Sequence, residues 1–436
     1  MTLLDLTPRV ATGDRVATLP VAIIGAGPIG LAAAANLLER GIDFVVYEAG
    51  DGIATSMRSW GHTRLFSPWK HLVDPASRRL LEARGWQLPS PERAPTGSEL
   101  VELYLTPLAQ VDEIQQRVRT GVEVVAVARE GMDRTRTRAR AATPFVLRLR
   151  EESGEITEAT ARAVIDASGT YTSPNPLSSN GLDLLGMGAI ADRVTPALPD
   201  VLGRDRALFA GRRVTVVGAG HSAANTLLAL VKLARDEPRT TVTWLIRNAQ
   251  AVRVSSSPDD ELVGSAHLGS RVDQAIARGE ITVLDGFEIL RAARAGDAVE
   301  LIGSRGGELT RHETDVVVNA TGFRPDLDML REIRLELDDI VEAPRRLAPL
   351  IDPNVHSCGT VEPHGFRELT HPERGFFIVG MKSYGRAPTF LLATGYEQVR
   401  SVVAWLAGDS AAASTVQLTL PATGVCSTDQ AGGCCS

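Results

Sequence analysis

Two stretches of this sequence pair glycines with a charged residue at a spacing that suits dinucleotide chemistry. In the first, "GAGPIG" at residues 25–30 follows the apolar run "VAII", opens an alanine-rich stretch, and is followed by Glu48 at the end of the next apolar run. Gly25 permits a tight turn after a strand, Gly27 lets backbone approach a pyrophosphate, and Gly30 lets a helix lie close on its strand. The helix start would aim N–H donors at phosphate, and the Glu48 carboxylate would accept from ribose hydroxyls. In the second, "GAGHSA" at residues 218–223 puts Gly218, Gly220 and Ala223 in the glycine places with Ser222 beside them, and Arg247 stands where the acid would be. An acid there would repel a 2′-phosphate, whereas a guanidinium pairs with it, so NADPH is favoured over NADH.

The cysteines imply another chemistry. Of four, Cys358 stands alone and Cys426, Cys434 and Cys435 crowd into the closing "GVCSTDQAGGCCS". Adjacent Cα atoms lie ~3.8 Å apart, below the ~4.4 Å that an ordinary disulfide needs, so a bridge between Cys434 and Cys435 would be strained. As free thiols the pair is a chelating bis-thiolate, and with Cys426 it offers three soft donors to a thiophilic metal or metalloid. His356, His364 and His371 surround Cys358 in sequence, but their spacing follows no zinc pattern. A tail whose thiols do nothing is the alternative.

The elements that must position these groups can be read around them. Each glycine motif sits between two strand-like runs joined by a helix-like one. Two further apolar runs end in "DASGTY" at residues 166–171 and "NATGFRPD" at residues 319–326, where Gly169 and Gly322 would let backbone approach a cofactor. Alternating runs between residues 121 and 169 read as an antiparallel meander. The fold class expected is α/β, with two Rossmann-like dinucleotide-binding domains, the second inserted in the first, and a β-meander. The divisions expected are residues 1–202 and 320–408 for the first domain, 203–319 for the second and 409–436 for a flexible tail. Two nucleotide crevices in one chain imply two cofactors that exchange electrons, a nicotinamide and a flavin.

Composition is that of a soluble globular chain: 436 residues, 44% hydrophobic, with a formal net charge of -7 carried by interspersed charges. No nucleic-acid or membrane partner is expected from it, and the one basic run, "RTRTRAR" at residues 134–140, reads as a solvated loop. The N-terminal residues lack the basic-then-apolar order of a secretion signal, and three of four cysteines at one end do not make a secreted disulfide framework. The expected location is cytoplasmic.

Taken together, "GAGPIG" with Glu48, "GAGHSA", "NATGFRPD" and the late "RGFFIVGMKSYGRAPTFLLATGYEQV" resemble the two-dinucleotide-binding-domain flavoproteins over about residues 19–408. The nearest group is flavin-containing monooxygenase-like, shading into thioredoxin reductase-like enzymes. The resemblance implies FAD in the first crevice and NADPH in the second. It places Gly380 and Met381 near the flavin's ribityl chain, and Thr394 with Gly395 near its pyrimidine edge. It also brings the segment bearing Trp60, Arg64, Trp69 and Lys70 past the flavin, with Lys382, Tyr384 and Arg386 as an opposing wall suited to an anionic substrate. Two family signatures are missing: no histidine lies between His71 and His221, so the monooxygenase fingerprint is absent, and there is no C-x-x-C pair. Three readings stay open. The first is an NADPH-dependent FAD oxidoreductase, monooxygenase-like, acting on a small molecule. The second is a thiol or soft-metal(loid) reductase that uses the tail and Cys358, with a role in metal resistance. The third is a non-catalytic flavin redox sensor or metal-binding protein.

Overall fold

The structure is a computed structural model, and it describes residues 16–248, 263–352, 363–387 and 390–418. The strands in chain order are β1 (Val21–Ile24), β2 (Phe44–Tyr47), β3 (Val118–Arg119), β4 (Val122–Arg129), β5 (Phe145–Glu151), β6 (Ile156–Ala161), β7 (Ala163–Asp166) and β8 (Val194–Thr195). They continue with β9 (Arg213–Val217), β10 (Thr241–Leu245), β11 (Thr282–Leu284), β12 (Phe287–Ala295), β13 (Ala298–Arg305), β14 (Glu308–Thr314), β15 (Val316–Asn319) and β16 (Phe376–Ile378).

Two five-stranded parallel sheets carry the fold, one ordered β16-β7-β1-β2-β3 and the other β11-β10-β9-β15-β8. Their central strands are short, largely apolar runs, buried throughout in β1 and β7 and for all but one end residue in β9 and β15, as a sheet covered on both faces requires. The helix Pro28–Glu39 follows β1 and is buried from Ile29 to Leu37. Alanine there lets the helix Leu392–Leu406 and the helix Pro75–Glu82 pack against it closely. β16 returns to the first sheet after the whole second sheet has been built, so the first domain is discontinuous. The second sheet also takes in β8, and its strands therefore begin before residue 203. The two connections between the sheets run side by side: Asn175 N donates to Gly322 O at 2.9 Å and Arg324 N to Ser173 O at 3.0 Å.

The expected meander is β4-β5-β6. A second, β12-β13-β14, was not expected, although strand-like alternation broken at Gly296 and at the Gly306 and Gly307 pair, all with positive φ, was its signal. The basic run is also not wholly solvated. Arg140 is buried, and with Arg129 it clamps the carboxylate of Glu373, Arg129 Nε lying 2.8 Å from Glu373 Oε1 with its guanidinium over the Phe145 ring. A guanidinium so placed satisfies a buried carboxylate that water cannot reach. No helix among the described residues is long and apolar enough to cross a membrane.

Candidate active site

The first crevice opens at the carboxyl ends of β1 and β7, where the chain leaves β1 for β2 on one side while β7 lies on the other. Gly25 has φ +97°, and a Cβ there would meet the Ala167 carbonyl at 2.8 Å. Gly27 caps the helix Pro28–Glu39 with no side chain closing its N-terminus, and a Cβ built on it meets nothing within 4 Å. Gly30 lies so close over Gly25 that a Cβ would overlap the Gly25 carbonyl. These three glycines therefore make the turn, leave an open cradle and let helix pack on strand, as read from the sequence. Glu48 ties the loop to β2, accepting from Ala26 N and Gly50 N at 2.8 Å each. Gly169, at φ +73°, likewise has open space beside it.

The second crevice repeats the arrangement after β9. Gly218 has φ +126° and leaves no room for a Cβ against the Ala320 carbonyl, while Gly220 caps the helix His221–Asp236 with no side-chain cap and open space beside it. A cleft of about 550 Å³ starts here. It joins Gly218, Gly220, Ser222 and Arg247 to Gly322, and it reaches Met381, Arg386 and Ala387 of the chain that returns to the first domain. Asn175, Ser179, His221 and Phe323 also line it and were not anticipated from the sequence. His221 meets Phe66 of the first domain with ring centroids 5.0 Å apart. The signal for that contact was the aromatic density of the segment around Trp60 and Trp69, but nothing local says which ring faces which domain.

A family model described as pyridine nucleotide-disulphide oxidoreductase matches residues 22–357. The chain belongs to that family. It is an FAD-dependent NAD(P)H oxidoreductase, with FAD and a nicotinamide dinucleotide as its cofactors. Its fold is similar to bacillithiol disulfide reductase from Bacillus cereus, at 20% identity over 89% of this chain and 99% of that one, with a TM-score of 0.66. It is similar also to ornithine hydroxylase from Pseudomonas aeruginosa, at 18% identity over 90% and 99% of the two chains and a TM-score of 0.60. A flavin monooxygenase variant from Stenotrophomonas maltophilia gives 22%, 89%, 98% and 0.56 for the same four measures. No curated protein matches the chain at a significant level. The two uncapped helix starts, each beside open space, fit the pyrophosphates of the oxidoreductase's two cofactors.

The residues expected to form a pocket wall are distributed differently in this oxidoreductase. Lys382 is 2% exposed and paired with Asp166, Nζ to Oδ2 at 2.7 Å, so it is not a free cation on a wall. Tyr384 is 1% exposed, edge-on to Phe390, and its burial pushes the phenol well above its ordinary range. Both expectations are corrected for the same reason: the turn Gly380–Tyr384 directs these side chains into the core between β7 and the helix Leu392–Leu406. Arg386 does line the cleft, paired with Glu342 at 2.6 Å. On the other segment, Lys70 is exposed and paired with Glu92, and Arg64 is exposed and donates to Ala94 O. Trp60 packs beside Gly97, and Trp69 is fully buried with its indole N–H unpartnered. Thr394 is buried, and Gly395 and Gly380 instead make room for the Ile29 side chain, whose bulk a Cβ on either would meet. Met381 lines the second cleft.

Cys358, His356, Cys426, Cys434 and Cys435 lie outside the described residues. Among the described residues no cluster of three or more histidine, cysteine, aspartate or glutamate side chains could hold a metal ion. His364 is buried against Gln398 Nε2 at 2.9 Å. His371 accepts from Glu336 N, and burial holds it down at about 4, so it is neutral near neutral pH.

Proposed function

We propose that the oxidoreductase is NADPH-dependent and monooxygenase-like, with FAD in the crevice at Gly25, Gly27, Gly30, Glu48 and Gly169, and NADPH in the cleft at Gly218, Gly220, Ser222, Arg247 and Gly322. Bound there, the flavin would take two electrons from the nicotinamide and pass them to dioxygen or another small-molecule acceptor. The observation that carries this reading is the continuity of the second cleft. Arg247 lines it together with Met381 and Ala387, so a dinucleotide whose 2′-phosphate pairs with Arg247 would share the cleft with the returning segment of the first domain. The two helix N-termini hold the pyrophosphates, and the second domain, expected over 203–319, extends back to take in β8 (Val194–Thr195).

A second reading, a thiol or soft-metalloid reductase, draws on the placement of all four cysteines at or after residue 358, three of them in the tail. It keeps the same cofactors and changes the acceptor. Membership of an oxidoreductase family favours either reading over a non-catalytic sensor.

Purified yellow protein titrated anaerobically with NADPH should lose its flavin absorbance and regain it on admission of air, with oxygen consumed. NADPH that leaves the flavin oxidised would remove the first reading. Reduction without reoxidation in air would shift the acceptor from dioxygen to another molecule.

A further inference from the structure

The turn Gly380–Tyr384 touches both halves of the candidate site. It follows β16 of the first sheet, and its Met381 lines the second cleft. Two sets of buried groups hold it. On one side, Gly380 N donates to Gln398 Oε1 at 2.7 Å, and Gln398 Nε2 donates to Ser383 Oγ at 2.9 Å. On the other, Lys382 Nζ lies 2.7 Å from Asp166 Oδ2 and donates to Ser168 Oγ at 3.1 Å. Ser168 Oγ in turn donates to Asp166 Oδ1 at 2.6 Å, which closes a triangle at the carboxyl end of β7, one residue before Gly169. The side chains of Lys382 and Asp166 are 1% and 0% exposed.

A buried ion pair of this kind recovers little stability over a well-packed apolar pair, because both charges are stripped of water. What it supplies is a defined position. We propose that the Asp166–Lys382 pair is a positioning device for electron transfer between the two cofactors: it ties the turn bearing Met381 to the strand end bearing Gly169, and so sets the spacing where nicotinamide and flavin meet. The proposal rests on the cofactor placement given above. Neither residue touches solvent, so neither acts on substrate directly. Arg247, which anchors the other end of the dinucleotide, is untouched by the pair, so affinity and rate should separate.

Rapid mixing of the flavin-loaded protein with NADPH under anaerobic conditions yields a limiting rate of flavin reduction and a half-saturating NADPH concentration. Lys382→Met breaks the tether and strands a buried carboxylate. Asp166→Asn with Lys382→Met breaks it without stranding a charge, and so reports on position even if the single variant does not fold. In both, the limiting rate should fall by about tenfold to a hundredfold, as displacement of reacting groups does, while half-saturation stays within about twofold. A double variant that is reduced at the wild-type rate would overturn the proposal, as would a change confined to half-saturation. Failure of NADPH to reduce the wild-type flavin would instead overturn the cofactor reading beneath it.

Discussion

Arg247 donates from Nη1 to the backbone carbonyl of Ser179 at 3.2 Å. Both residues line the second cleft, and among the described residues this is the hydrogen bond that holds the exposed guanidinium there, through one of its five N–H groups. A fixed, exposed fork is what a 2′-phosphate needs. An adenosine ribose with free hydroxyls gains little from it.

Arg247→Glu should therefore weaken NADPH by about 2 kcal/mol or more, since a charge-assisted pair becomes a repulsion. NADH should change little. Steady-state KM values for both nucleotides test this, and equal losses for the two would mean that Arg247 does not read the 2′-phosphate.

Gly27→Val should abolish FAD binding. The backbone at Gly27 is extended, so valine suits it sterically, and its Cβ would project into open space rather than into protein. The variant should fold but lose the cradle for the pyrophosphate. Flavin content after purification is the readout, and a saturated yellow variant would refute the assignment of the first crevice.

Asp74 links stability to pH. Burial raises its carboxyl from 3.8 to about 6, although it accepts from Ser77 N at 2.7 Å. The folded protein binds this proton more tightly than the unfolded chain, so the group favours folding at low pH and that contribution is lost as pH rises to about 6. The separation is worth about 3 kcal/mol. His371, held down at about 4 from 6.5, works in the opposite sense over nearly the same range. Comparison with Asp74→Asn cancels the histidine. The variant's stability relative to wild type should rise by up to about 3 kcal/mol between about pH 4 and about pH 7. Parallel denaturation curves across that range would show that Asp74 does not titrate as argued.

If the second reading holds, removing residues 421–436 should leave FAD content and NADPH-driven flavin reduction intact, because the residues of both crevices lie upstream. Stoichiometric binding of arsenite or Hg(II) should disappear, and Cys434→Ser with Cys435→Ser should reproduce the loss, since serine supplies no soft thiolate. Unchanged binding by the truncated protein would make the tail a passenger.

Much of the site was legible because its requirements are local. Gly25, Gly27 and Gly30 must be glycines for reasons of φ, open approach and close packing that act within one strand, turn and helix, and the structure shows each reason at its place. The placement of Glu48 and Arg247 just past the next strand was legible in the same way, since β2 ends at Tyr47 and β10 at Leu245. The same local reasoning could not assign the lysine, tyrosine and methionine of the Gly380–Tyr384 turn. Lys382 meets Asp166, which belongs to a strand formed long before it in the chain, and Tyr384 meets Phe390 beside the helix Leu392–Leu406. Local sequence thus determined the two glycine turns and the uncapped helix starts that follow them, because those depend on backbone conformation within single strand-turn-helix units. Only tertiary packing decided which cations are buried in pairs and which side chains join the two crevices, because burial and pairing depend on neighbours far away in the chain.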